Sequence, residues 1–200
     1  DGTLWLNLGD SYTSGNRRWR ATDKKNPARA MTYRPPTPNG LKPKDLIGVP
    51  WRVAFALQAD GWYLRSDCIW HKPNCQPESV RDRPTRSHEY FFLLSKSEEY
   101  WYDHEAAQEP ADARGEKRNR RTVWSVNTEP FRDAHFATFP PKLLAPCVLA
   151  STTPGDAVLD PFFGSGTVGV VCTKLKRRFV GIELNADYAA IARRRLGWED

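Results

Sequence analysis

Short apolar runs, separated by polar and proline-bearing stretches, organise this chain, and their period changes from two to helical along it. Residues 3–8 (Thr-Leu-Trp-Leu-Asn-Leu) read as a buried strand bounded by Asp1-Gly2 and Gly9-Asp10. Residues 11–44 carry neither period and are polar, basic and Pro-rich, so a long insertion is expected there, mobile in the absence of a partner. In residues 46–59, Val49, Val53, Phe55 and Ala56 fall at helical spacing; Pro50 suits a first turn and Gly61 ends the helix. Residues 62–70 and 89–95 read as strands joined by a loop over 72–87, and residues 97–130 show no core-forming period. A helix over 140–152 follows, with Leu143, Leu144, Cys147 and Val148 on one face. After it come a short buried strand (157–160), a helix (167–175), a strand (179–183) and a basic-faced helix (186–196). No internal repeat is visible.

The last quarter is therefore a βαβ unit, which places the chain in the α/β class with parallel strands. The apolar share of 40% is ordinary for a globular protein and excludes disorder throughout. No apolar run approaches the roughly 18 residues of a membrane span, so no membrane partner is expected. The N-terminus lacks the basic and apolar regions of a signal peptide and starts abruptly in mid-strand. Cys68, Cys75, Cys147 and Cys172 show no paired metal spacing; free thiols in a reducing cytoplasm, with no metal, are the expectation.

The net charge is +6, but its distribution says more than its size. Arg17, Arg18, Arg20, Lys24, Lys25, Arg29 and Arg34 form one basic group, and Arg114, Lys117, Arg118, Arg120 and Arg121 a second. Both sit among aromatic residues and prolines, as polyanion-binding loops do; two solvated loops are the equal alternative from charge alone.

The most informative segment is Asp160-Pro161-Phe162-Phe163-Gly164-Ser165-Gly166-Thr167-Val168-Gly169. Glycines at a strand-to-helix turn let the backbone fold tightly and approach a ligand. Glu183, ending the next strand, is placed to accept hydrogen bonds from both hydroxyls of a ribose, so the unit predicts a nucleoside-bearing cofactor. The GxGxxG spacing formally fits NAD. Against that, the dinucleotide fingerprint normally opens its domain, whereas few residues follow Gly169, and Asp160-Pro161 sets a carboxylate where a methionine amino group would be held.

These residues resemble the cofactor motif of the β-class DNA amino-methyltransferases, which methylate adenine N6 or cytosine N4. Five further segments resemble that family in its order. They are residues 69–74 and 88–96, the entry motif His135-Phe136-Ala137-Thr138-Phe139-Pro140 with residues 141–143, and the flanking strands 154–159 and 179–185. The resemblance implies a Rossmann-like methyltransferase sheet, mixed but mostly parallel, with helices on both faces. It implies S-adenosylmethionine as cofactor: Asp160, Phe162, Gly164, Gly166 and Thr167 at the methionine end, Glu183 at the ribose, residues 135–140 closing over it, and Pro161, Phe163, Ser165 and Asn185 as further cofactor-binding residues. Residues 1–96 would form the catalytic-side half, 97–130 the target-recognition region and 131–200 the cofactor half. Double-stranded DNA is the implied partner, met by the two basic groups and by Trp19 and Trp124, with a restriction enzyme as possible companion in a bacterial or phage setting. The DNA reading implies affinity that falls steeply with salt. Cytosine N4 is slightly preferred, because His-x-Ala-x-Phe-Pro resembles the entry motif of some cytosine enzymes.

One family element is absent from these residues. The catalytic peptide Asp/Asn/Ser-Pro-Pro-aromatic precedes the first strand in the family, yet the two Pro-Pro pairs here, at 35–36 and 140–141, lack its flanks. That peptide accepts the protons of a weakly nucleophilic exocyclic amine and stacks on the flipped base. Its strand also lies at the centre of the family's sheet, between the strand of the glycine loop and residues 3–8. The expectation is a fragment with its sheet incomplete at the centre, which binds cofactor without catalysing transfer. Two rivals remain at this point: an NAD-dependent oxidoreductase and a non-catalytic DNA-binding remnant. His71 and His88 read as hydrogen-bonded strand-end histidines rather than bases, and Trp5, Trp51, Trp62 and Trp70 as packing.

Overall fold

The computed structural model describes residues 2–13, 37–111, 115–129 and 139–198. Arg17, Arg18, Trp19, Arg20, Lys24, Lys25, Arg29, Arg34, Arg114, His135, Phe136, Ala137 and Thr138 therefore lie outside the described residues.

Strands β1 (Thr3–Leu8), β2 (Tyr63–His71), β3 (His88–Ser95) and β6 (Val123–Ser125) form a four-stranded sheet in the order β1-β3-β2-β6. The pairings β1·β3 and β2·β3 are antiparallel and β2·β6 is parallel. Strands β4 (Glu109–Pro110) and β5 (Lys117–Arg118) make a small antiparallel ribbon. A separate parallel pair joins β7 (Ala157–Asp160) to β8 (Arg178–Gly181). The α/β class and the mixed sheet stand. Among the described residues, β1, β2 and β6 of the larger sheet run the same way and β3 alone is reversed, and the smaller sheet is parallel.

Alternation along the strands assigns residues to two faces. Leu4, Leu6, Tyr90, Phe92, Leu94 and Leu64 pack with Ala54 and Trp51 of helix α1 (Val49–Ala59). Trp5, Phe91, Cys68 and Trp70 pack on the other face with Leu143 and Cys147 of helix α2 (Pro141–Ser151). In β2 this requires even-numbered residues on both faces. The register shift between Leu64 and Ser66 supplies it, since the extra residue of a bulge reverses the parity of everything after it.

Helix α2 also joins the two sheets. Its Leu143 and Cys147 face the larger one, while Val148 packs with Val171 and Cys172 of helix α3 (Thr167–Lys174) and with Val158 and Phe179 of the smaller one. Across the junction the Trp5 indole N–H donates to Ser151 Oγ at 2.7 Å. No described pairing links β1 to β7, in keeping with a sheet incomplete at its centre.

Three expectations need correction. Residues 97–130 do contribute to the core, because Ala107 and Trp124 are buried. Strand β1 is half-buried along its whole length, since it has a strand neighbour on one side only among the described residues. Strand β7 is not buried either: Leu159 is 63% exposed, pointing away from α3. The described ends of the insertion are pinned, with Thr13 N–H donating to Asp45 O and Ile47 N–H to Ser11 O, both at 2.9 Å.

Candidate cofactor site

Parallel register sets the site. Asp160 pairs with Gly181, so the residues leaving the C-terminal ends of β7 and β8 run side by side. Ladder-like bonds continue past the strand ends, Ile182 N–H to Asp160 O and Phe163 N–H to Ile182 O, both at 2.9 Å. Gly164 and Gly166 take left-handed backbone (φ 52° and 79°) and turn the chain into α3. A side chain at Gly166 would press on Ala192 of helix α4 (Ala186–Leu196). Gly169 and Gly181 leave room for the Phe163 ring, where an added Cβ would come within 2.8 and 2.4 Å of it. Phe163 stacks on Phe179, which stacks on Trp198. The loop therefore rests on a built aromatic floor.

Glu183 is fixed by backbone donors on both sides. Its Oε2 accepts from Gly164 N–H at 2.6 Å and its Oε1 from Asn185 N–H at 2.8 Å. Each oxygen keeps a second acceptor position, which is what two hydroxyls of a ribose need. Asp160 accepts from Phe162 N–H at 3.0 Å. Burial, and then the neighbouring Glu183, push its carboxyl above the ordinary Asp value, against the pull of that hydrogen bond. A cation beside it would offset both effects. Phe162 is 89% exposed, and Leu184, next to Glu183, is wholly so. Two apolar side chains thus flank the polar pair.

Several expected contacts have other employment. Asn185 caps α4, its side-chain oxygen accepting from Asp187 N–H and Tyr188 N–H. Ser165 and Thr167 are buried, and both hydroxyls face Arg195 of α4, whose Nη1 lies 3.2 Å from Ser165 Oγ and 2.9 Å from Thr167 Oγ1. Phe139 packs on Trp70 and Phe91, and Pro140 is fully buried at the start of α2, so the described end of the entry motif is core. Pro161 is exposed. Arg195 was hidden from sequence reasoning within the run Arg193-Arg194-Arg195, which reads as a solvated face.

The second basic group is organised by one carboxylate. Glu109 Oε1 lies 2.9 Å from Arg118 Nε and 3.2 Å from Arg121 Nε, with Arg120 Nη1 at 3.9 Å from Oε2. Partial burial pushes the Glu109 carboxyl up, but the Arg118 and Arg121 hydrogen bonds outweigh it and leave it below its usual value. Arg120 also donates to Ala107 O at 2.9 Å, while Lys117 is exposed. Trp124 corrects an expectation outright. Its side chain is 6% exposed, packs on Trp5 and Phe91, and donates to Arg121 O at 2.6 Å, leaving no ring face for a base. His71 Nδ1 lies 3.1 Å from Ser125 Oγ, and burial, then Arg86, hold the His88 pKa below its usual value.

A glycine loop between parallel strands, with an acid at the end of the second, defines an α/β domain built for a nucleoside-bearing ligand. A family model described as DNA methylase, of the N6/N4 methyltransferase group, matches residues 1–194, and the chain belongs to that family. This removes the nicotinamide oxidoreductase alternative. The chain is 70% identical over 200 residues to the Type II methyltransferase M.Cfr9I of Citrobacter freundii, covering 100% of this chain and 66% of that protein. To the Type II methyltransferase M.SmaI of Serratia marcescens it is 69% identical over 197 residues, covering 98% and 68%. It thus spans about two thirds of the length of these relatives. Among solved structures, the M1.HpyAVI–SAM complex matches with a TM-score of 0.57 at 27% identity, covering 74% of this chain and 69% of that one. The cytosine-N4-specific PvuII DNA methyltransferase matches at TM-score 0.70, covering 100% and 64%; at 19% identity that likeness concerns the fold alone.

Proposed function

We propose that this chain carries the S-adenosylmethionine site of a DNA amino-methyltransferase that modifies cytosine N4 or adenine N6. The observation that carries the reading is Glu183, clamped between Gly164 N–H and Asn185 N–H with acceptor capacity left over, beside Asp160 at the mouth of a glycine loop. When bound, the cofactor supplies an electrophilic methyl group on a sulfonium. The residues here bind and orient. Glu183 would take the ribose hydroxyls, Asp160 the cationic methionine end, and Leu184 and Phe162 offer apolar surface to the purine. The whole protein would act on double-stranded DNA in a bacterial cytoplasm, beside a restriction enzyme, as the type II names of its relatives support. Cytosine N4 is favoured by the His135–Pro140 entry motif. In the second basic group Lys117 is exposed and open to phosphate; residues 17–25 and Arg114 complete the proposed DNA surface, with residues 97–130 as target-recognition region.

Calorimetry with S-adenosylmethionine tests the site. Glu183→Ala should weaken binding by about 1–3 kcal/mol, the effect of leaving polar partners unmet. Equal affinity for the variant and the unmodified chain would reject the assignment. A non-catalytic DNA-binding role stays as second reading, favoured by the absence of a Pro-Pro-aromatic peptide from these residues.

A further inference from the structure

Arg193, Arg194 and Arg195 close α4, and the first two are exposed. Arg195 is not. It is half-buried and turned back onto the glycine loop, where its Nη1 donates to Ser165 O at 3.2 Å, Ser165 Oγ at 3.2 Å and Thr167 Oγ1 at 2.9 Å. It reaches the loop from the side of α4 that carries Ala192, which packs against Gly166. The placement runs against simple electrostatics. Thr167 opens α3, and a cation at a helix N-terminus meets the positive end of the dipole. Losing water costs the guanidinium as well: burial lowers its pKa, partly offset by Glu129. Against that cost its Nη1 makes three hydrogen bonds to the residues around Gly166.

We infer that Arg195 is a positioning residue of the cofactor loop, holding Ser165 and Thr167 from behind so that the turn around Gly164 and Gly166 keeps its open side toward the ligand. The inference rests on the cofactor reading above and names a residue on which that site depends without offering it to the ligand. Gly166 at φ 79° is soft backbone, and glycine-rich turns sample many conformations when nothing secures them. Arg195 gathers a carbonyl and two hydroxyls from the last residues of the loop and the first of α3, so one guanidinium ties Ser165 to Thr167 across Gly166. Preorganisation of this kind appears as affinity, because the ordering is complete before the ligand arrives.

The test uses the 200-residue chain, with S-adenosylmethionine and its demethylated product as probes, read by calorimetry and thermal unfolding. Arg195→Met should weaken binding of both probes by about tenfold or more, the scale of a lost charge-assisted hydrogen bond. Arg195→Lys, which keeps one donor, should recover part of it. Thr167→Val supplies the discriminating measurement. If Arg195 acts through the loop, Arg195→Met together with Thr167→Val should cost clearly less than the product of the two separate losses. A purely structural role would instead lower the unfolding midpoint and leave the losses multiplicative, and that result would overturn the inference. Wild-type affinity in Arg195→Met would overturn it too, while leaving the cofactor site intact. Failure of the unmodified chain to bind either probe would sink the cofactor reading, and this inference with it.

Discussion

In the four-stranded sheet Phe91, Phe92 and Leu94 are at most 2% exposed, whereas in the two-stranded sheet Leu159 and Val180 are 63% and 57% exposed. The larger sheet has α1 on one face and α2 on the other. The smaller one packs Val158 and Phe179 against α2 and α3 and turns Leu159 and Val180, paired across the strands, outward. Parallel strands normally carry helices on both faces, so an outward Leu and Val mark a face made for a cover. The contrast teaches where the molecule's rigidity lies. The larger sheet has a core on each face, one of them shared with α2, whereas the smaller sheet is packed on one side and steadied by the glycine loop's internal bonds.

The largest effect that would break this contrast is all-or-none. With tritiated S-adenosylmethionine and unmethylated DNA, the 200 residues alone should transfer no methyl group, and a version extended upstream through a Pro-Pro-aromatic peptide should. The base's amine is a poor nucleophile until its protons have acceptors and its approach is in line. Transfer by the 200 residues would place that function in a segment described here as loop or core.

Truncations on the two sides sharpen the comparison next. Phe92→Ala removes a fully buried ring between α1 and β1 and should cost about 3–5 kcal/mol. Leu159→Ala trims a side chain already in water and should change stability by less than about 0.5 kcal/mol. Urea unfolding of the two variants decides it; a comparable loss at Leu159 would mean that its face is covered after all.

What was legible in the sequence follows the same division. The βαβ unit with its loop and acid could be read almost residue by residue, because strand, turn, helix and strand are local and each has its own period. Three features depended on distance. The bulge after Leu64 switches faces within one apolar run, and nothing in that run marks it. Trp124 sits in a polar stretch, and only the parallel pairing of β6 with β2 buries it. Arg195 looks like its two neighbours until helix geometry turns it toward Thr167. In each case the sequence shows the residue type correctly, while the partner that defines its role lies far along the chain: Trp124 meets Trp5, and Arg195 meets Ser165.

The smallest effect concerns protons, and it separates the cofactor half from the rest most cleanly. Burial, then Glu183, raise the Asp160 pKa, so the folded chain holds that proton more tightly than the unfolded chain does. The sign follows from linkage. Asp160 contributes stability below its unfolded pKa, and that contribution is lost as pH rises through the raised folded value. Toward neutral pH the ligand-free chain therefore carries a carboxylate in an unfavourable place, and a cationic ligand group removes the penalty. Binding of S-adenosylmethionine should then weaken as pH falls through the raised Asp160 pKa, with release of a fraction of a proton in that window. Calorimetry in buffers of different ionisation heat measures the release directly. Asp160→Asn should abolish it, flatten the acid limb of the affinity profile and lessen the stability lost between acid and neutral pH. An unchanged acid limb in Asp160→Asn would assign the effect to another group and leave Asp160 as a structural end to β7.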